Sequence, residues 1–157
     1  MTDSRRSAVY AAEDQVSSLL ERGGRLDFHG SILDLPRQRE LVDLGDVERY
    51  LAGIRTQPWG AGHTPTPRVR RRRGVSRAHW QAPDTIALPT ETRWALQEMV
   101  VLHEYAHHVT WHDHRAADHG PVFQDTMTEL VCQALAPSVG LVLRAAYHGA
   151  GARPGPG

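Results

Sequence analysis

The stretch His103–His107, His-Glu-Tyr-Ala-His, constrains what this chain can fold into more than any other. It lies in a run that reads as helix, where residues four apart share a face, so His103 and His107 present two imidazoles to one point. Ionisable groups on a buried helix need partners, and a metal ion satisfies two imidazoles at once. Glu104 stands beside them, where its carboxylate can take a proton from a metal-activated water. With ten His and eight Glu in 157 residues, composition alone yields this pattern about 0.03 times in a chain of this length. Leu96, Met99, Val100 and Val101 are spaced for a buried helix. Thr90 is the expected N-cap, with Glu91 in the first turn and Pro89 closing the extended segment before it. The motif then falls in the C-terminal half of that helix.

A catalytic zinc takes a third protein ligand and keeps one position for water. Helix geometry sorts the nearby histidines. His108 is rotated roughly 140° from His103 and His112 roughly 180°, so both point away from the metal face. His114 would lie about 10 Å beyond His107 along the axis, too far to share an ion. The third ligand must follow a turn, and His119 is the best fit. It precedes Gly120-Pro121, and Pro121 suits the first turn of a new helix over Pro121–Ala136 with Phe123, Met127, Leu130 and Ala134 on one stripe. Asp113 and Glu129 are the rivals. Asp113 occupies the third position of HExxHxxGxxH/D, although Thr110 replaces its turn-forming Gly. Glu129 is placed rather like the downstream Glu of thermolysin-type enzymes.

HEYAHH and HGPVF, with eleven residues between His107 and His119, resemble the active site of SprT-like and Spartan-type zincins, in which HExxH is followed by HGxxF or HGxxW opening the next helix. Over a longer span, DFHGSILDLP, LHEYAHH and HGPVF are similar to a small actinobacterial family of HExxH metallohydrolases, across most of residues 8–148. The resemblance implies zinc bound by His103, His107 and His119, with Glu104 as general base. Two departures matter: the spacer is slightly shorter than in Spartan, and the single Cys132 excludes the Cys-rich zinc modules of some relatives. A role in DNA–protein crosslink repair does not transfer.

A length of 157 residues suits one domain with a single core. The expectation is an α+β, zincin-like minidomain over residues 1–148, with a small β-sheet packed on the active-site helix and further helices. A disordered Gly/Pro-rich tail would occupy 149–157. The net charge of zero makes the chain as a whole no polyanion binder. One Cys leaves no internal disulfide framework, which suits a reducing compartment and a cytoplasmic location. Arg5 and Arg6 are followed by no apolar signal region, and no run approaches the ~20 apolar residues of a membrane span. All eighteen basic residues are Arg.

Elsewhere, Ser7–Arg22 reads as an amphipathic helix ended by Gly23-Gly24, and Leu26–Leu35 as extended with a bend or bulge at Gly30. Asp46–Arg55 is helical with Asp46 as cap, and Thr56–Pro67 is a breaker-rich loop expected to be mobile. Val69–Val75 and Ala78–Trp80 suggest paired strands around Gly74, and Thr85–Leu88 a short strand entering the motif helix. A last helix follows Pro137 to about His148. Ile86 and Leu88 alternate on the third strand, which is either an edge that pairs with an extended substrate or a buried strand without a free edge.

Arg68, Arg70, Arg71, Arg72, Arg73 and Arg77 form a run without an acid. Arg70–Arg73 are the candidate nucleic-acid contacts through phosphate, and a solvated strand face is the plainer reading. Trp94, Trp111 and Tyr105 read as core packing. Tyr147 and His148 are available as oxyanion stabilisers, and Glu98, Asp113, Asp118 and Asp125 as acids that orient the His ligands. Together the residues point to a zinc-dependent hydrolase, a metallopeptidase acting on peptide or protein substrates, with Glu104 catalytic and His103, His107 and His119 on Zn2+. A non-catalytic zinc module, closed by Asp113 or His114 as fourth ligand, and a DNA-associated protease targeted by Arg68–Arg77 are the alternatives.

Overall fold

Apolar residues three and four apart build five α-helices, and a computed structural model, which describes residues 3–74 and 77–153, shows where each begins and ends. In chain order these are α1 (Arg6–Arg22), α2 (Leu44–Arg55), α3 (Glu98–His114), α4 (Pro121–Ala134) and α5 (Pro137–Gly149). The strands are β1 (Gly24–Phe28), β2 (Ser31–Leu35), β3 (Arg68–Arg71), β4 (His79–Gln81) and β5 (Thr85–Leu88). Among the described residues this is an α+β architecture with one two-stranded and one three-stranded sheet. No described helix is long and apolar enough to cross a membrane. The chain divides into two compact units, Met1–Gln38 with Asp118–Gly157, and Arg39–Ala117.

In the first unit, Val9, Ala12, Val16 and Leu20 form the buried stripe of α1. α1 and α4 both pack on α5, which buries Val139, Val142, Leu143 and Tyr147. Gly140 permits the close approach of α5 to α4, since a Cβ there would stand 2.9 Å from the Cβ of Cys132. Gly23, at φ 66°, ends α1. The extended segment after it is an antiparallel hairpin. Phe28 faces Ser31, so His29 and Gly30 are the two-residue loop, both in the left-handed region at φ 51° and 85°. The Gly30 bend is therefore a tight turn. After α5, Ala152 is buried, and its N–H donates to the Tyr147 carbonyl. Within the expected tail, Gly149 belongs to α5 and Ala152 is packed, and residues 154–157 lie outside the described residues.

In the second unit, α2 starts two residues earlier than its periodicity suggests. Asp43 is the cap, accepting from the Asp46 N–H at 2.8 Å, while the Asp46 carboxylate accepts from the Val42 N–H. The three-stranded sheet has the order β3-β5-β4, with β3 parallel and β4 antiparallel to β5. β3 and β4 are thus not paired with each other, contrary to the expected pair around Gly74; Val75 of that stretch lies outside the described residues. β5 is the central strand, with Ile86, Ala87 and Leu88 fully buried. It has no free edge for a substrate backbone and is the buried strand of the two alternatives. β4 and β5 pack on α3.

The loop after α2 is pinned. Arg55 donates to the carbonyl of Thr64 at 2.6 Å and to its hydroxyl at 2.9 Å, and the Tyr105 hydroxyl donates to the Gly60 carbonyl at 2.6 Å. Such bonds from half-buried Arg55 and buried Tyr105 to the loop oppose the mobility that its breakers suggest.

Candidate metal centre

The helix carrying the motif begins at Glu98. Ahead of it, Arg93–Leu96 forms a 3-10 turn, and Gln97, at ψ 148°, breaks the chain direction. The motif therefore straddles the middle of α3, and Thr90 caps no α-helix. Every residue from Val101 to Thr110 is buried, so this helix is enclosed on all faces. His103, Glu104 and His107 are 2 %, 3 % and 7 % exposed. The rings of His103 and His107 meet edge to face with centroids 4.9 Å apart, as an i,i+4 pair should.

His119 stands two residues before α4, whose first residue is Pro121. Its carbonyl accepts from the fully buried Gln124 side chain at 2.8 Å, and the Phe123 and Tyr10 rings flank its imidazole at 5.0 and 5.4 Å. Its backbone N–H and its ring Nδ1–H both donate to one oxygen of Asp3, at 3.0 and 2.6 Å. Burial alone would raise the Asp3 carboxyl, but the hydrogen bonds and charge of His119 outweigh it and hold the group below its usual value. A histidine whose Nδ1–H is given to a carboxylate offers Nε2 to a metal.

One ligand nitrogen from each of His103, His107 and His119 lies within 4.8 Å of the others, and all three residues are buried. Three imidazoles, one of them oriented by a carboxylate, form a donor set suited to zinc. Among the described residues no fourth His, Cys, Asp or Glu joins this group. Asp113, on the last turn of α3, is paired with His63 at 2.7 Å, and Glu129 is exposed and accepts from Gln133. His114 is exposed at the same helix end. The intervening loop supplies neither Asp113 nor His114, because both belong to α3.

His108 and His112 are engaged with other partners. His108 accepts at Nδ1 from the Trp80 indole at 3.3 Å and donates from Nε2 to the Pro65 carbonyl at 2.6 Å. Burial pushes its pKa down to about 4, which keeps it in that neutral tautomer. His112 donates to the Pro83 carbonyl. Tyr105 is buried and stacked on His108, and Tyr147 donates to Glu13 at 2.8 Å, which accounts for its hydroxyl without an oxyanion role. His148 is exposed.

Of the four acids expected to orient the ligands, Glu98 instead accepts from the Arg39 N–H and the Tyr50 hydroxyl, Asp113 is held by His63, Asp125 pairs with Arg153, and Asp118 is exposed. The acid bonded to His119 is Asp3, 116 residues away, a distance at which no local pattern signals a partner. Arg70–Arg73 lie on and just after β3; Arg70 donates to Gln81, Arg71 pairs with Glu91 at 2.7 Å, and Arg72 donates to the Arg77 carbonyl. No protein-family model matches the chain, and comparison with curated proteins and with solved structures gave no match.

Proposed function

We propose that the protein is a zinc-dependent hydrolase, a metallopeptidase-like enzyme of the HExxH class its motifs resemble, acting on peptide or protein substrates. The observation that carries this reading is the buried group of His103, His107 and His119 with Glu104 next to the first ligand on the same buried helix. His103, His107 and His119 would hold the zinc, which would supply a coordinated water of lowered pKa and polarise a carbonyl. Glu104 takes the proton of the attacking water as its oxygen bonds to the carbonyl carbon. The same carboxyl then delivers that proton to the leaving nitrogen as the carbon–nitrogen bond breaks.

A non-catalytic zinc module is the less favoured reading, because structural zinc is almost always closed by four protein ligands and the described residues group three. A cytoplasmic setting, argued from the single Cys132, belongs to the same proposal. Phosphate contact by Arg70–Arg73 is not part of it, since three of the four are tied to neighbouring groups. The test is Glu104→Gln in the zinc-loaded protein, assayed on a mixture of unfolded protein substrates. Zinc content should be unchanged and turnover should fall by about 10²–10⁴-fold. Turnover at the wild-type rate would remove Glu104 as the base. Zinc-loaded wild type that cleaves no peptide substrate would favour the non-catalytic module.

A further inference from the structure

His119 differs from the other two histidines of the centre in the element that carries it. His103 and His107 are fixed by the rigid helix that carries both, whereas His119 belongs to the segment between α3 and α4. Its direction must be set by side-chain partners, and Asp3 provides them. One Asp3 oxygen, Oδ2, accepts both the backbone N–H and the ring Nδ1–H of His119, at 3.0 and 2.6 Å. The other, Oδ1, accepts from the Arg5 N–H at 3.2 Å, immediately ahead of α1. Two donors of one residue on one oxygen fix the His119 backbone and its ring rotamer together. The remaining oxygen ties the carboxylate to a helix whose Val9, Ala12, Val16 and Leu20 are buried.

We propose that Asp3 is the positioning residue of the metal centre: it selects the His119 tautomer that presents Nε2, aims the ring, and makes the third ligand's strength depend on the segment leading into α1. This rests on the reading of His103, His107 and His119 as a metal site. A carboxylate on the far nitrogen of a ligating imidazole also raises its basicity, so the effect belongs in metal affinity more than in fold stability.

The experiment is zinc affinity of the full chain by competition with a chromophoric chelator, for wild type, Asp3→Ala, Asp3→Asn and Tyr147→Phe. Tyr147→Phe removes a buried hydroxyl bond, to Glu13, that involves neither Asp3 nor His119, and controls for loss of stability. Asp3→Ala should weaken zinc about 10–100-fold. Asp3→Asn should weaken it less, because a neutral acceptor keeps part of the bond. Tyr147→Phe should leave affinity within about two-fold of wild type, since double effects between separate sites are small. The visible band of the cobalt(II)-substituted protein should shift in Asp3→Ala and not in Tyr147→Phe. Equal affinity of Asp3→Ala and wild type would overturn the role of Asp3 while leaving the metal site standing. An equal loss in Tyr147→Phe and Asp3→Ala would overturn it too, as an effect of stability. A wild type that binds no zinc would overturn both the centre and the inference.

Discussion

Position 60 has no room for a methyl group. A Cβ on Gly60 would stand 1.8 Å from the carbonyl oxygen of Ile54 and 2.6 Å from its carbon, and both are backbone atoms that no rotamer change can move aside. Gly60→Ala should therefore displace the loop that Tyr105 and Arg55 hold, at a cost of about 1–3 kcal/mol or more, read as a lower denaturant midpoint. Gly53 supplies the opposite sign. It lies inside α2 with nothing within 4 Å of its missing Cβ, so Gly53→Ala should stabilise by about 0.5–1 kcal/mol. An unchanged midpoint in Gly60→Ala would show that the loop is not packed as described, and a drop in Gly53→Ala would show that its missing Cβ faces no open space. Single residues of the motif were legible for the same geometric reason. A period of four fixes His103 and His107 on one face, and the rotation of His108 to the other face is met by its bonds to Trp80 and Pro65.

Elements were legible where one face of a helix meets the core, and less so where a partner from elsewhere decides. The bounds of α1, α4 and α5 follow their apolar stripes to within two residues, with Pro at the first turn of α4 and α5. The start of α3 does not. The Leu41 N–H donates to the Leu96 carbonyl, Glu40 bridges Gln97, and the Glu98 N–H donates to the Arg39 carbonyl, so residues 39–41 pull the chain out of helix just before Glu98. Sheet order escaped in the same way, because β5 prefers a parallel partner, β3, to the hairpin that Gly74 suggests between its neighbours. The α3 start gives a prediction. The Glu98 carboxylate, 4 % exposed, accepts from the Arg39 N–H at 2.5 Å and the Tyr50 hydroxyl at 2.7 Å. Glu98→Ala strands both donors and should cost about 2–4 kcal/mol in chemical denaturation, while Tyr50→Phe, which removes one bond, should cost about 1 kcal/mol. Equal losses would mean that the Arg39 bond contributes nothing.

At the scale of the whole molecule, the metal centre and the fold are one equilibrium. Two of its ligands are four residues apart and the third follows after one turn, which is why the set was readable from spacing; Asp3, which aims the third, comes from the far end of the chain and was not. Ligands so assembled exist as a set only in the native state, because the unfolded chain holds its histidines in no fixed geometry. Zinc binding must then stabilise folding by mass action, by about 4 kcal/mol at a free concentration a thousand times the dissociation constant. For a chain of 157 residues each kcal/mol moves the midpoint by roughly 2–4 °C, so saturating zinc should raise Tm by roughly 8–16 °C, and a chelator should reverse it. Replacing His119 by Ala removes one of three donors, so the same zinc concentration should then give a much smaller rise. The sign is diagnostic: a native-state site can only raise Tm, whereas zinc caught by scattered histidines of the unfolded chain would lower it. A wild-type Tm that zinc leaves unchanged or lowers would mean that His103, His107 and His119 hold no ion in the folded protein.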